Sequence, residues 1–349
     1  MRYVLFGAPP YPVLSALGHC TLSSTDDGGY SVRAEPPHLA QAVQWELVVP
    51  AGTHRGEGTA ARFTRRVQIV GEEDGAELAR TAAELMPRYR AIVAAAAQEI
   101  EEAFERTGPA RQQGIRWDGV IHALIVGWLL DLGVTHALKQ AGWLDEFHDW
   151  HVLACATYPE EGADCGVRLQ HASRTVFGEL WIEGRRRWPP LPVNVNRTEL
   201  EVLVRLASGG RRAQSTAGAP PHVLAMLCHL GILTQWRGVY AVAIPVFDTT
   251  DCARLLPLIH TAATRLATLV RSALPPFPSR RARVPTECAY RLAFVRFVLT
   301  RAFSDLANVG LLPSVPALLP QSWGLWLILE ANPVALFHPF DAEGRSNEG

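Results

Sequence analysis

A group of histidines and cysteines near residue 150 has the side-chain types that bind transition metals. On a helix, His148, His151 and Cys155 would share one face, and imidazole nitrogen and thiolate sulfur are ligands that zinc prefers. The spacing of these residues, with His136 upstream and Cys165 downstream, matches no established zinc pattern. We therefore expect no metal site.

Carboxylates and histidines in the same part of the chain are the types that act as general acids and bases. The candidates are Asp131, His136, Asp145, Glu146 and Asp149. None is paired with a nucleophile in a recognisable order, and the sequence contains no nucleophile elbow, zinc-protease helix, phosphate-binding loop or dinucleotide-binding glycine motif. The sequence therefore predicts neither an enzymatic activity nor a cofactor.

Arginines provide a third kind of chemistry, because they bind phosphate groups. The run Arg185-Arg186-Arg187-Trp188 combines three cations with an aromatic ring, as in sites for single-stranded nucleic acid. Its position directly before two prolines is more typical of a solvated linker. Because the formal net charge of the chain is -1, any binding of nucleic acid would need a local basic patch.

Residues 198–247 have the pattern of two or three helices followed by a hairpin. Thr198 and Glu201 form a capping box at the start of the first helix. Residues 211–219 have room for a second, short helix. The next helix should begin at the prolines 220–221 and end at Gly231. Residues 232–233 and 239–246 can then pair as strands across the turn at residues 235–238.

This order resembles the winged helix-turn-helix of bacterial transcriptional regulators. The third-helix pattern HVLAMLCHLGIL and the following segment WRGVYAVAIP carry the resemblance, which covers about 50 residues and is no signature motif. The resemblance implies that the third helix contacts base edges in the major groove of DNA and that the hairpin, the wing, contacts phosphates.

The same features occur twice along the chain in the same order. Gly7 matches Gly184, Pro36-Pro37-His38 matches Pro220-Pro221-His222, and the strand pattern 63–70 matches 240–247. Two long helices follow each time, at residues 74–107 and 117–140 in the first half. The first of these contains Pro87, which should kink or interrupt it. Each pair of helices leads into a short apolar segment, near Trp150 and Trp323. The ordered matches indicate an internal duplication.

The predicted fold is mainly α with small β-wings, built as two tandem repeats that form a pseudo-dimer. Repeat one covers residues 1–159, with a winged helix at about 11–70, its third helix at 36–47 and its wing at 51–70. Residues 160–177 join it to repeat two at 178–333, whose winged helix is 198–247 and whose long helices cover about 249–309. Residues 334–349 form a flexible tail.

Two functions from different classes fit this fold. The first is a transcriptional regulator that binds double-stranded DNA, with a protein partner or a small-molecule effector held by the helices. The residues predicted to contact DNA are His38, Gln41, Arg55, Arg65, Arg66, Arg211, Arg212, His222 and Arg237. The alternative is a winged-helix scaffold for protein interactions that does not bind DNA, because the third helix of the second repeat is apolar and nearly uncharged.

Composition indicates a globular protein of the cytoplasm. The 349 residues, 48% of them hydrophobic and 19% charged, suffice for one large core or two ordinary ones. The six cysteines form no CxxC pair, which is typical of reduced intracellular thiols. The apolar runs 120–130 and 325–329 are too short to cross a bilayer, which needs about 20 residues, and the first residues lack the apolar core of a secretory signal.

Overall fold

The computed structural model is helix-rich with short strands. It describes residues 2–6, 21–24, 30–33, 48–50, 61–63, 67–70, 72–144, 151–156, 164–172, 175–183, 197–208, 219–277, 287–313 and 323–329. The predicted third helix of the first repeat (36–47), the short helix at 211–218 and the tail at 334–349 lie outside these residues.

The helices include the four long segments expected from the sequence. They are α1 (Glu72–Phe104), α2 (Gly108–Arg111), a 3-10 turn (Trp117–Gly119), a π-helix (His122–Gly133) that continues as α3 (Val134–Gln140), α4 (Arg197–Ser208), α5 (Pro221–His229), α6 (Thr249–Ala273) and α7 (Glu287–Asn308). Pro87 lies within α1 and does not interrupt it. The wide π-helix was not predicted.

The described strands form sheets in addition to the predicted wings. They are β1 (Arg2–Phe6), β2 (Thr21–Ser24), β3 (Tyr30–Arg33), β4 (Val48–Pro50), β5 (Ala61–Phe63), β6 (Val67–Val70), β7 (His151–Ala156), β8 (Asp164–Ala172), β9 (Thr175–Glu183), β10 (Leu233–Trp236), β11 (Val239–Val242), β12 (Val246–Phe247) and β13 (Leu325–Ile328). Among the described strands the sheet orders are β1-β7-β6, β2-β3-β5-β4, β12-β13-β9-β8 and β10-β11.

The chain divides into two compact units, and each takes residues from both halves of the sequence. One unit comprises Met1–Met86, Lys139–Gly162 and Val270–Arg301, and the other comprises Pro87–Leu138, Ala163–Leu269 and Ala302–Gly349. The second unit contains α4, α5 and the β10–β11 hairpin, the helix–helix–hairpin order expected for residues 198–247.

The strand predicted over residues 63–70 of the first repeat divides between two sheets. β5 pairs with β3 and β4 in one antiparallel sheet, whereas β6 pairs with β7 in another sheet. In the second half, the strand expected over 239–246 divides in a similar way. β11 ends at Val242, and after Pro245 the short β12 pairs with β13. Proline has no N–H to continue a strand ladder, so the chain leaves the hairpin there.

One further expectation is corrected by the strands. Residues 164–172 and 175–183, which overlap the predicted joining segment 160–177, pair as the antiparallel hairpin β8–β9. His151 and Cys155 lie in the strand β7 and not on a helix, the element that the rejected zinc site would have needed.

Candidate interaction surface

A buried apolar core fixes α4, α5 and the hairpin relative to one another. Leu203 from α4, Leu227 from α5 and Ile232 at the entry to the hairpin are fully buried in one cluster. Leu325 and Leu327 of β13 and Phe177 of β9 belong to the same cluster. The second unit therefore holds this module as part of its own core.

Helix α5 begins and ends as its sequence predicts. Pro221 occupies its first position, where the missing N–H removes no helical hydrogen bond. At the other end, the Ile232 N–H donates to the Leu227 carbonyl and the Gly231 N–H donates to the Cys228 carbonyl. This pair of bonds requires a left-handed residue, and Gly231 has φ of 67°.

The exposed face of α5 has no arginine, lysine or carboxylate side chain. Val223, Leu224 and Leu227 face the core, and the side chains exposed to solvent are those of Pro221, His222, Ala225 and His229. Neither arginine nor lysine occurs among them. His222, which is predicted to contact DNA, lies on this face, but the face offers no arginine or lysine for a phosphate contact.

The hairpin ends in an exposed aromatic ring and a cation. Trp236 lies opposite Val239 in the β10–β11 register, and Arg237 and Gly238 form the turn between them. Both turn residues have positive φ, 49° and 80°, as in a type I′ turn. The Trp236 side chain is 72% exposed, and the Arg237 guanidinium carbon lies 5.3 Å from its ring centroid. We call Trp236 and Arg237 the wing tip.

Among the described exposed side chains of this module, positive and negative charges are equal in number. They are Arg205 on α4 and Arg237 on the wing tip, and Glu201 and Asp248. Of the residues predicted to contact DNA, the structure describes only His222 and Arg237, which lie on α5 and on the wing tip. The others, His38, Gln41, Arg55, Arg65, Arg66, Arg211 and Arg212, lie outside the described residues.

The side chains proposed for acid–base chemistry have structural contacts where they are described. The Asp131 carboxylate accepts a hydrogen bond of 2.7 Å from the Val167 N–H, and the His136 ring stacks on His260. Within the described part of the chain there is no group of three or more His, Cys, Asp or Glu residues that could hold a metal ion.

Sequence reasoning missed the residue that distinguishes this surface. The sequence pattern places Trp236 only in the turn region. Its position directly before Arg237 and Gly238 could have indicated that the ring lies at the end of the hairpin.

None of the described helices is both long and apolar enough to cross a membrane. No model of a protein family, no curated protein and no solved structure matches the chain.

Proposed function

We propose that residues 197–247 are a winged helix that binds a protein partner through its wing tip. The observation that carries the proposal is the exposure of Trp236 beside Arg237. Trp and Arg are the residue types enriched at the energetic centres of protein interfaces. Trp236 and Val309 are the two large hydrophobic side chains exposed in the described residues, so the ring at the wing tip is unusual for this surface.

The exposed face of α5 supports a protein partner over DNA. A helix that enters the major groove must approach two phosphate strands, and affinity for DNA depends on cations that neutralise them. The described exposed residues of α5 include no arginine or lysine, whereas a lack of charged residues is typical of the core of protein interfaces. The expected partner surface is an apolar pocket for the indole, with a carboxylate for Arg237.

We also propose that the chain arose by duplication, because one arrangement of strands and preceding helices occurs twice along the sequence. The central strand β7 pairs antiparallel with β1 and parallel with β6. In the same way, β13 pairs antiparallel with β9 and parallel with β12. Two long helical segments precede the central strand in each case.

The strand register changes the residue equivalence suggested by the sequence. The match of residues 63–70 with 240–247 equates Ile69 with Val246, which lie opposite Leu153 and Leu327. Leu5 and Phe177 lie opposite the same two residues, so this register aligns Leu5 with Phe177. Gly7 and Gly184 lie outside the described residues. A wing in the first repeat is not part of this proposal, and the pseudo-dimer stays a prediction.

Site-specific photo-crosslinking in living cells tests the protein-binding function. A photo-reactive phenylalanine at position 236 is compared with the same residue at Thr264, an exposed position on α6. We expect one discrete protein adduct from position 236, lost when Arg237 is changed to Glu, and no such adduct from position 264. The same adducts from both positions, or adducts with DNA only, would contradict the proposal.

The second candidate is the DNA-binding regulator, which Arg237 favours because arginines at the end of an extended arm enter the minor groove of DNA. Fluorescence anisotropy with random duplex DNA across a salt series measures this function. A steep loss of affinity with salt, reduced in slope by Arg237→Ala, would support the regulator and count against the scaffold. We expect no binding at low salt.

A further inference from the structure

The segment between α1 and the π-helix contacts the base of the hairpin through one glutamine. The Gln113 side-chain amide donates a hydrogen bond of 2.9 Å from Nε2 to the Ile244 carbonyl. Its Oε1 accepts a hydrogen bond of 2.9 Å from the Val246 N–H. A longer contact of 3.4 Å joins Nε2 to the carbonyl of Val242, the last residue of β11. The amide thus pairs with residues 242–246 as a neighbouring strand would.

A second contact holds the same segment to the start of α6. The buried Asp251 carboxylate, only 2% exposed, accepts a hydrogen bond of 3.0 Å from the Gly108 N–H. It also accepts from the Asp248 N–H, while Asp248 accepts from the Asp251 N–H, which makes a reciprocal capping box. The Arg254 guanidinium donates to the Arg106 carbonyl at 2.9 Å. The backbone around Gln113 is therefore anchored independently of the hairpin.

We infer that Gln113 is a positioning residue for the wing tip. The first strand of the hairpin is fixed by the core at Ile232 and Leu233. The second strand leaves the hairpin through residues 243–246, where Gln113 supplies both a donor and an acceptor. Fixing both ends of the hairpin fixes the direction in which Trp236 and Arg237 point. This role rests on the proposed function of the wing tip.

The contact requires a side chain that offers both a donor and an acceptor. The Ile244 carbonyl needs a donor and the Val246 N–H needs an acceptor, and glutamine offers both in one plane. An ionised glutamate at this position would accept from Val246 but place a negative charge against the Ile244 carbonyl. A protonated glutamate has one O–H donor and one carbonyl acceptor, so it can replace the amide.

The test compares Gln113→Glu, Gln113→Met and the unchanged protein by hydrogen exchange of residues 233–246 between pH 4 and pH 8. Gln140→Glu is the matched control, since Gln140 is exposed. At pH 8 we expect protection of the β11 amides to fall roughly tenfold in both Gln113 variants, because the Ile244 carbonyl loses its donor. The Val246 amide should lose protection in Gln113→Met alone, since an ionised glutamate still accepts from it. Toward pH 4, where a glutamate side chain becomes protonated, protection of the β11 amides should recover in Gln113→Glu and stay low in Gln113→Met.

Equal protection of Gln113→Glu and the unchanged protein at every pH would overturn the inference, and so would equal loss in both variants at every pH. If Gln113→Glu does not fold at pH 8, the Gln113→Met variant still measures the loss of the two bonds. The crosslinking experiment separates this inference from the proposed function. Recovery of protection without any protein adduct from position 236 would contradict the protein-binding function and leave the role of Gln113 standing.

Discussion

At the scale of single residues, burial determines the protonation of His122. His122 is 4% exposed, and its ring lies 4.7 Å from the Trp323 ring, centroid to centroid. Burial lowers the pKa of His122 to about 4, although a hydrogen bond to the Pro313 backbone partly offsets this effect. The native protein therefore keeps the imidazole neutral well below the pH at which an unfolded chain would protonate it.

We predict that His122 makes the protein less stable in mild acid. Between pH 6.5 and pH 4 the unfolded state binds a proton at this residue that the folded state does not, so the free energy of unfolding falls as the pH falls. The loss attributable to His122 is on the order of 3 kcal/mol across this window. Chemical denaturation at pH 7 and pH 4.5 should therefore show a smaller acid destabilisation for His122→Phe than for the unchanged protein.

The control for this prediction is His229→Phe, which removes an exposed histidine of α5. This variant should keep the full acid destabilisation of the unchanged protein. An identical dependence on pH in His122→Phe and His229→Phe would show that His122 is protonated in the folded state as readily as in the unfolded state.

Arg237 has a backbone conformation that an arginine adopts at a cost. Its φ of 49° lies in the left-handed region, where asparagine and glycine are more favourable by roughly 1 kcal/mol. We predict that Arg237→Asn raises the free energy of unfolding by roughly 0.5–1 kcal/mol and at the same time removes the protein adduct from position 236. Thermal unfolding and the crosslinking experiment measure the two effects.

At Gly238, the next residue of the turn, a substitution should have the opposite effect on stability. Gly238 has φ of 80°, and a Cβ there would meet no atom within 4 Å, so Gly238→Ala adds backbone strain without a clash. It should lower the free energy of unfolding by about 1 kcal/mol. If Arg237→Asn and Gly238→Ala change stability in the same direction, the turn does not have the conformation described.

At the scale of elements, the pairing of β9 with β13 depends on one glycine. Gly178 lies directly opposite Trp326, and a Cβ on Gly178 would be 2.0 Å from Cε2 of that indole. Trp326 is fully buried and also contacts the Trp128 ring edge-on, so its indole cannot move away from an added methyl group. We predict that Gly178→Ala lowers the free energy of unfolding by about 3 kcal/mol through overpacking.

A double-mutant cycle measures this clash. Trp326→Leu removes the indole and leaves a cavity, so it is destabilising by itself. Added to this background, Gly178→Ala should cost less than about 1 kcal/mol, because the added methyl group then has space. A Gly178→Ala effect of the same size in both backgrounds would mean that the indole does not limit this position.

The sequence predicted those elements that local rules specify. The ends of α5 and the position of the hairpin turn follow from Pro221, Gly231 and Gly238, whose backbone preferences are local. The joining segment predicted over residues 160–177 covers β8 and the start of β9, where residues 175–180 are buried at every position. A strand that is buried on both faces lacks the alternation of apolar and polar residues that identifies a strand.

Contacts between distant residues could not be predicted in this way. Gln113 lies in a polar loop sequence, and nothing local indicates that its amide pairs with residues 244 and 246. The two contacts of Asp251 differ in this respect. Its capping box with Asp248 follows from their spacing in the sequence, whereas its hydrogen bond from Gly108 depends on the tertiary fold. The same holds for the candidate site. The sequence predicts the turn of the hairpin, but the exposure of Trp236 depends on how the hairpin packs in the folded chain.

At the scale of the whole molecule, the two halves of the sequence do not coincide with the two compact units. The second unit combines Pro87–Leu138 of the first half with most of the second half. Within this unit the fully buried Trp128 of the π-helix packs on Phe247 and Trp326, with ring centroids 5.0 and 6.4 Å apart. The first unit in turn takes Val270–Arg301 from the second half, where Arg291 donates to the Trp143 carbonyl at 3.0 Å.

We therefore predict that fragments 1–160 and 161–349 do not fold separately and assemble when expressed together. Each fragment lacks part of the core of both units, so neither buries enough apolar surface to offset its conformational entropy. Separate fragments should show no cooperative unfolding, whereas a tag on one fragment should purify both. Trp128→Ala should sharply reduce this recovery, since truncating a buried tryptophan costs about 3–5 kcal/mol, and Arg265→Ala on an exposed face of α6 should not. Cooperative unfolding of fragment 1–160 alone would contradict the exchange of segments between the two halves and would make each repeat a domain in its own right.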